Sequence, residues 1–150
     1  MDTLGPFGWL LLFCIKTLNF GDPEYNKEVK VWRGCFLEQN LIETYIQKSK
    51  CNQKMKAQYY ADKNEDFKES ELIVSWDSFI STTRSKEVAK RFGNILFEIS
   101  TSYYSDSSYG LNLESISVYP EEEEVLLPPT KYRVTFHYEY EGYTIFCLTH

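Results

Sequence analysis

Residues 117–129 read SVYPEEEEVLLPP, so four consecutive glutamates run directly into an apolar triplet that two prolines close. The triplet predicts a buried strand, because proline cannot continue a sheet ladder and therefore bounds the segment. If the acids belong to the same strand, Glu122 and Glu124 share one face, about 6.5–7 Å apart. Two carboxylates aimed at one point suit a site that stabilises a developing cation and accepts a proton from a nucleophile.

Two alternatives to this interpretation remain open for the acidic run. The paired face can instead be formed by Glu121 and Glu123, because the run contains four identical residues. An acidic run also commonly does no more than keep the end of a strand soluble. The function of the run therefore depends on what the remainder of the chain supplies.

The composition bounds the class of protein and its partners. A length of 150 residues suits one domain, in which folding removes roughly two-thirds of the unfolded surface from water. The net charge of −6 and the pI near 5.0 argue against nucleic acid as a partner, because binders of phosphate backbones carry basic patches. Aromatic residues make up 17% of the chain, which favours strands and clefts lined by side chains with a polar tip.

Cysteine and histidine usage predicts no metal site. Cys14, Cys35, Cys51 and Cys147 form no CxxC pair, and the two histidines lie far from most of them. The cysteines can form two disulfides in a secreted protein or stay reduced in the cytosol, and the sequence leaves both open. The apolar residues 9–13 are too few to span a bilayer and follow an acidic start, so we expect no transmembrane segment or signal peptide and favour the cytoplasm over secretion.

Helical periodicity occurs in three places. It predicts an amphipathic helix over about residues 6–20 and a second helix around residues 41–46, followed by a lysine-rich, partly helical surface excursion at residues 48–70. A third helix is predicted from the capping residue Ser85 to Gly93.

Strand patterns and loop signals fill most of the remaining chain. The serine- and tyrosine-rich residues 101–114 predict a surface loop. The last two strands are predicted to form an antiparallel hairpin around Glu141-Gly142. Besides the acidic strand, strands are predicted at residues 29–36, 94–100, 131–138 and 143–148, and a turn and a strand over residues 72–83.

Three short motifs occur in the order Arg, Ser, Glu, each at a strand or a strand end. They are Trp32-Arg33-Gly34, the hydroxyl run of residues 79–83, and the acidic strand. With their flanking residues 85–89 and 119–120, they resemble the arginine-specific mono-ADP-ribosyltransferases of the Arg-Ser-Glu class, which includes vertebrate ecto-enzymes and bacterial toxins. The resemblance extends from about Leu10 to Val134.

The resemblance implies an α+β, ADP-ribosyltransferase-like fold with short N-terminal helices and two small, mainly antiparallel β-sheets that form an NAD cleft. It implies that NAD is the co-substrate and that ADP-ribose is transferred from NAD to the guanidinium of a protein arginine, with release of nicotinamide. The expected partners are NAD and an acceptor protein with an exposed arginine, and the expected state is a monomer. Family domains carry more helical sequence before the arginine strand, so residues 1–150 are interpreted as a single catalytic domain shortened at its N-terminus.

The resemblance also implies a role for each residue of the first two motifs. Arg33 would bind the phosphates of NAD, for which its planar fork of donors is suited, and the backbone at Gly34 would hold the nicotinamide amide. Ser81 would position the nicotinamide ribose and the catalytic acid, with Thr82 nearby. Phe92 matches an aromatic residue that packs on the nicotinamide ring, although its position in the third helix is equally consistent with a core residue.

The third motif would supply the two acids. Glu124, directly before the apolar triplet, would hydrogen-bond the ribose 2′-hydroxyl and stabilise the oxocarbenium-like charge that grows as nicotinamide leaves. Glu122 matches the first glutamate of the family's Glu-x-Glu pair, which orients and deprotonates the acceptor guanidinium. Tyr119, in the loop before the acids, would contact the target protein. Thr83 stands where the family has a serine, which leaves Ser81 intact.

Two rival functions use the same residues. Water can replace arginine at the site, which would make the protein an NAD glycohydrolase. The chain can also be a non-catalytic module that binds NAD or a partner. A glycoside hydrolase fits less well, because its two acids normally come from separate elements across a sugar.

Overall fold

The computed structural model describes residues 8–11, 13–14, 29–61, 68–101, 110–113 and 115–150. Of the helix predicted for residues 6–20, the described residues are helical, and the remainder lies outside the described ranges. Cys14, Cys35, Cys51 and Cys147 are all free thiols. Among the described residues, no helix is both long enough and apolar enough to cross a membrane.

Besides the helical residues 8–11 and 13–14, the described part of the chain contains eight strands, three α-helices and two 3₁₀ turns. The turns cover Lys90–Phe92 and Pro120–Glu122. The other elements are β1 (Val29–Cys35), α1 (Gln39–Tyr60), α2 (Glu69–Leu72), β2 (Ile73–Trp76), β3 (Ile80–Thr83), α3 (Lys86–Ala89), β4 (Ile95–Thr101), β5 (Leu111–Asn112), β6 (Glu124–Leu127), β7 (Thr130–Tyr140) and β8 (Tyr143–Thr149).

The strands form one hydrogen-bonded array in the order β2-β7-β8-β4-β1-β3-β6-β5. All neighbours are antiparallel except β4 and β8, which confirms the prediction of mainly antiparallel pairing. β1 pairs with β3 at a single position, Trp32 opposite Thr83. The array therefore divides into a large part (β2, β7, β8, β4, β1) and a small part (β3, β6, β5). These parts correspond to the two predicted sheets, and the single pair joins them.

The long helix α1 covers one face of the large part, where it packs against β7. Its buried Tyr45 lies with ring centroids 5.0 Å from Phe97 of β4 and 5.2 Å from Phe146 of β8. Trp76 of β2 meets Phe97 edge-on at 5.1 Å. Because aromatic pairs at these separations add to the stabilisation from buried area, this cluster is the centre of the main core.

A smaller core lies on the opposite face of the same strands. Leu96 and Ile145 each precede a residue of the main core by one position, so their side chains point the other way. They pack with Ala89 of α3. Ser85 caps α3, accepting a hydrogen bond from the Val88 amide at 3.3 Å, as the sequence predicts. The sheet is thus covered on both faces, and α3 lies beside the single pair that joins its two parts.

The acidic run does not belong to a strand, so the predicted alternation of its side chains is wrong. Pro120–Glu122 forms a 3₁₀ turn, Glu123 is left-handed with φ of 47°, and β6 begins only at Glu124. The cause is Pro120, whose fixed φ favours the first position of a helical turn. The apolar triplet after Glu124 does form the predicted strand.

The closing hairpin and the loop over residues 101–114 are also predicted, with different outcomes. The closing hairpin is confirmed, with Glu141 and Gly142 at φ of 51° and 79° forming its two-residue turn. The loop predicted over residues 101–114 is wrong at Thr101, which ends β4, and at Leu111–Asn112, which form the short strand β5 against β6. Leu111 is buried there, so pairing and burial within the fold override the polar character of the surrounding sequence. Residues 102–109 and 114 of this prediction lie outside the described ranges.

Candidate active site

A cleft of about 190 Å³ opens where the large and small parts of the sheet diverge. It brings together residues from all three sequence motifs, which are more than forty positions apart along the chain. Its lining comprises Trp32, Arg33, Gly34, Ser81, Thr82, Thr83, Val88, Phe92, Glu122 and Glu124. Trp32 and Val88 carry no predicted role, although Trp32 belongs to the first motif and Val88 to the residues that flank the second.

Ser81 and Glu124 are diagonal neighbours in the β3–β6 pair. The Ser81 hydroxyl donates a hydrogen bond of 2.6 Å to Glu124 Oε1. A hydrogen bond to an ionised carboxylate is shorter and stronger than a neutral one, so it orients the acid at the edge of the cleft. The strand register places Thr83 opposite Glu124, which brings the start of β6 next to the end of β3.

Arg33 links the large part of the sheet to the small part. Its Nη1 donates a hydrogen bond of 2.9 Å to the backbone carbonyl of Ser81. A guanidinium has five N–H donors, so this bond leaves donors available for an anionic ligand. The neighbouring Cys35 is partly buried, which raises the pKa of its thiol, and the positive charge of Arg33 opposes that rise.

Gly34 is required by packing. A Cβ at this position would lie 1.8 Å from the carbonyl oxygen of Ala89 and 3.3 Å from Cβ of Phe92. The missing side chain therefore lets α3 and the following 3₁₀ turn approach β1. This close approach places Val88 and Phe92 on the wall of the cleft.

The hydroxyls of Thr82 and Thr83 hold the small part of the sheet together. Thr82 Oγ1 donates to the carbonyl of Val125 at 2.6 Å, and Thr83 Oγ1 donates to the carbonyl of Glu122 at 2.6 Å. The Thr83 hydroxyl also accepts from the amide of Ser85 at 3.0 Å. Thr83 thus connects the acidic turn to the start of α3. The only sequence signal for this role of Thr83 is its place in the uninterrupted hydroxyl run. Roles are predicted there for Ser81 and Thr82, but not for Thr83.

Glu122 and Glu124 both line the cleft, whereas Glu121 and Glu123 do not. The predicted pair is therefore brought together, although by a 3₁₀ turn and a left-handed residue instead of strand alternation. The Glu123 carbonyl accepts a hydrogen bond from the Arg84 amide at 3.2 Å, which ties the turn to the chain after β3. The alternative pair, Glu121 with Glu123, is not at the cleft.

Phe92 and Tyr119 lie in different surroundings. Phe92 lines the cleft and is 53% exposed, so it is not the core residue that its helical position also allowed. Tyr119 is exposed, precedes the 3₁₀ turn and does not line the cleft. An aromatic ring on the wall of a cleft offers a face on which a planar ring can stack.

Among the described residues, no cluster of three histidine, cysteine or acidic side chains is arranged to hold a metal ion.

Solved structures with the same fold include ADP-ribosyltransferases. The chain matches the ADP-ribosyltransferase HopU1 of Pseudomonas syringae pv. Tomato DC3000 with a TM-score of 0.54 and 22% identity, over 82% of this chain and 44% of that one. It matches exoenzyme S from Pseudomonas aeruginosa, solved with human 14-3-3 protein beta and carba-NAD, with a TM-score of 0.50 and 20% identity, over 82% of this chain and 48% of that one. The fold is therefore the ADP-ribosyltransferase fold.

The family follows from the sequence match. Residues 47–149 match the family model described as NAD:arginine ADP-ribosyltransferase, and the chain belongs to this family. It is 34% identical over 64 residues to the erythroblast NAD(P)(+)–arginine ADP-ribosyltransferase of Gallus gallus and 38% identical over 56 residues to ecto-ADP-ribosyltransferase 5 of Rattus norvegicus. These matches cover 42% and 37% of this chain but only 20% and 17% of the relatives. Arg33 and Gly34 precede the matched residues.

Proposed function

We propose that the chain transfers ADP-ribose from NAD to an arginine side chain of an acceptor protein and releases nicotinamide. The observation that carries this proposal is the 2.6 Å hydrogen bond between Ser81 and Glu124 in a cleft that also contains Glu122 and Arg33. One acid is oriented by a hydroxyl, and a second acid and a cation line the same cleft. Family membership supports NAD as the co-substrate.

In the proposed reaction, Arg33 pairs with the phosphates of NAD, and the ring of Phe92 packs beside the nicotinamide. The glycosidic bond between nicotinamide and ribose breaks, and its electron pair leaves with nicotinamide. Positive charge develops on the ribose, and the Glu124 carboxylate stabilises it. Because Ser81 orients that carboxylate before the reaction, little reorganisation is needed as the charge grows.

In the second half of the proposed reaction, the acceptor arginine is ADP-ribosylated and Glu122 acts as the base. Its carboxylate accepts a proton from the acceptor guanidinium as a guanidinium nitrogen forms a bond to the ribose carbon that nicotinamide has left. The Thr83 hydroxyl bonds to the backbone carbonyl of Glu122 and so holds this residue at the cleft. Tyr119, exposed before the acidic turn, is proposed to contact the acceptor protein.

The test measures two products from the same mixture. The purified chain is incubated with NAD and agmatine, a simple guanidino acceptor, and released nicotinamide and ADP-ribosylated agmatine are both quantified. We expect both products from the unmodified chain. Glu124→Gln should reduce both by roughly 10²–10³-fold, the usual size of a lost electrostatic stabilisation. Glu122→Gln should abolish agmatine labelling while nicotinamide release continues.

Glu121→Gln is the matched control, because it removes the same charge one residue away from Glu122 and outside the cleft. It should leave both products unchanged. Nicotinamide release without labelled agmatine from the unmodified chain would support an NAD glycohydrolase instead. NAD binding without any release would support a non-catalytic NAD-binding module.

A further inference from the structure

A second pocket, of about 330 Å³, lies between α1 and β7. We refer to it as the aromatic pocket; its lining includes Asn52, Met55, Lys56, Tyr59 and Tyr60 of α1 together with Arg133 of β7. The α1 residues are spaced three, four, seven and eight positions after Asn52, which places them on one side of the helix. None of these residues lines the catalytic cleft.

Asn52 contributes a buried acceptor that has no partner. Its side chain is on a residue only 4% exposed, and its Nδ2 donates to the carbonyls of Lys48 at 3.1 Å and Leu72 at 2.7 Å. Because carbonyl oxygens accept only, these two bonds fix the orientation of the amide. Oδ1 then has no hydrogen-bond partner within the described ranges. A buried acceptor without a donor is unfavourable, so the site favours a ligand that brings an N–H or O–H group.

Lys56 and Arg133 make the aromatic pocket cationic. Both side chains are exposed, and no carboxylate of the described residues lies within 4.0 Å of either cation. The positive charge of the aromatic pocket contrasts with the net charge of −6 of the whole chain. An arginine and a lysine on opposite sides of a pocket suit a phosphate, which accepts the arginine's donors as a pair and attracts the lysine as a point charge.

Two neighbouring tyrosines provide flat apolar surface at the same place. Tyr59 and Tyr60 are 80% and 77% exposed, and their rings are 5.8 Å apart at an angle of 77°. Large aromatic side chains this exposed commonly mark a binding surface. The volume of the pocket is within the range of about 300–1,000 Å³ that is typical of small-molecule sites.

We propose that the aromatic pocket binds a mononucleotide. The base packs against Tyr59 or Tyr60, an N–H group of the base donates to Asn52 Oδ1, and the phosphate pairs with Lys56 and Arg133. No bond is made or broken in this complex. The proposal does not depend on the catalytic cleft, since the two sites share no lining residue.

The test titrates AMP into the purified chain by isothermal calorimetry. We expect saturable binding that Lys56→Gln and Arg133→Gln each weaken by about tenfold or more, the usual cost of losing one charged hydrogen bond. Lys50→Gln is the matched control, because it removes an exposed lysine of α1 that does not line the pocket, and it should leave the affinity unchanged. Arg33→Gln should also leave AMP affinity unchanged, since Arg33 belongs to the other cleft.

Ligand analogues test each part of the recognition. Adenosine lacks the phosphate and purine riboside 5′-monophosphate lacks the amino group, so each should bind about tenfold more weakly than AMP. Absence of AMP binding at millimolar concentration would overturn the proposal. The same conclusion follows if AMP affinity survives both Lys56→Gln and Arg133→Gln, or if Arg33→Gln abolishes it, since AMP would then occupy the catalytic cleft.

Discussion

The two parts of the sheet are held together in different ways. In the large part, β1 and β4 pair over seven positions, and an aromatic core covers one face. In the small part, β3 and β6 pair over four positions and β5 adds only two, so the hydroxyls of Thr82 and Thr83 supply additional bonds to backbone carbonyls. Ser81 and Glu124 belong to the small part, Glu122 lies in the turn that precedes it, and Arg33 belongs to the large part. Stability and proposed chemistry are therefore concentrated in different parts, which meet at the cleft.

Gly34→Ala should have the largest effect, because it acts where the two parts meet. The added Cβ would lie 1.8 Å from the backbone oxygen of Ala89, so α3 has to move away from β1. Overpacking of this kind costs about 1–3 kcal/mol or more, and displacement of Val88 and Phe92 should also weaken NAD binding. Urea unfolding and NAD titration measure the two effects.

Gly142→Ala separates these two effects. Gly142 has φ of 79°, and a Cβ added there would meet no atom within 4 Å beyond its chain neighbours, so alanine introduces backbone strain without a clash. It should lower stability while NAD affinity is retained. If Gly34→Ala behaves in the same way as Gly142→Ala, the close approach of α3 to β1 does not shape the cleft.

Ser81→Ala should have the next largest effect, and on rate more than on stability. It removes the 2.6 Å hydrogen bond that orients Glu124, and a misplaced catalytic group can cost about 10–100-fold in rate. The measurement is the turnover number for nicotinamide release, with urea unfolding in parallel.

Thr82→Val is the comparison on the same strand. Thr82 is buried and donates to the Val125 carbonyl, so its loss should destabilise the fold by about 1–2 kcal/mol with little change in turnover. A larger loss of turnover in Thr82→Val than in Ser81→Ala would contradict the assignment of Ser81 as the residue that orients Glu124.

Ser49→Ala should produce a smaller effect, confined to the large part of the sheet. The buried Ser49 hydroxyl lies 2.9 Å from Nδ1 of His137 and joins α1 to β7. Losing this contact should lower the free energy of unfolding by about 1 kcal/mol, while nicotinamide release stays unchanged. Ser75→Ala, at an exposed position of β2, serves as the control for the stability measurement. A change in turnover for Ser49→Ala would show that the two parts are more strongly coupled than their single shared pair indicates.

Glu141→Gln should have the smallest effect. Lys90 donates to Glu141 at 2.9 Å and to Glu87 at 2.8 Å, which lowers the pKa of Glu141 and raises the pKa of Lys90. A lowered carboxyl pKa stabilises the fold above the ordinary carboxyl pKa, and this stabilisation is lost as the pH falls through the folded value. The raised pKa of Lys90 has the opposite pH dependence: it stabilises the fold at lower pH, and this contribution is lost only as the pH rises into strong base.

The thermal midpoint of Glu141→Gln should therefore lie slightly below that of the unmodified chain at neutral pH. The difference should vanish in acid, where Glu141 is protonated, and shrink in high salt, because Glu141 is exposed. A difference that persists in acid would assign the effect to the hairpin turn itself and not to the ion pair.

Local sequence signals predict much of this fold. The Glu141-Gly142 turn, the Ser85 cap and the strand after Glu124 each follow from a few neighbouring residues whose conformational preference agrees with the final structure. The strand geometry predicted for the acids is wrong, because it gives the apolar triplet more weight than the preference of Pro120 for a helical turn.

Other features depend on contacts that no local pattern encodes. Leu111 becomes part of β5 only because β6 offers a free edge and a buried position. The single Trp32–Thr83 pair, which opens the cleft, depends on the whole sheet order. The candidate site could be named from the sequence because its three motifs are short and contiguous, while Thr83's bond to the Glu122 backbone required the fold.

The four identical glutamates occupy three backbone conformations in succession, and this has a consequence for insertions and deletions. β6 begins at Glu124, the glutamate next to Val125. A deletion of one glutamate would leave an acid in each of the last three places before Val125, so the residues corresponding to Glu122 and Glu124 would both still be glutamates. The change would fall instead on the 3₁₀ turn, which would lose one residue after Pro120, and on the distance from Tyr119 to the cleft. The repeated residue thus protects the identity of the two acids against small length changes and allows the preceding loop to vary in length.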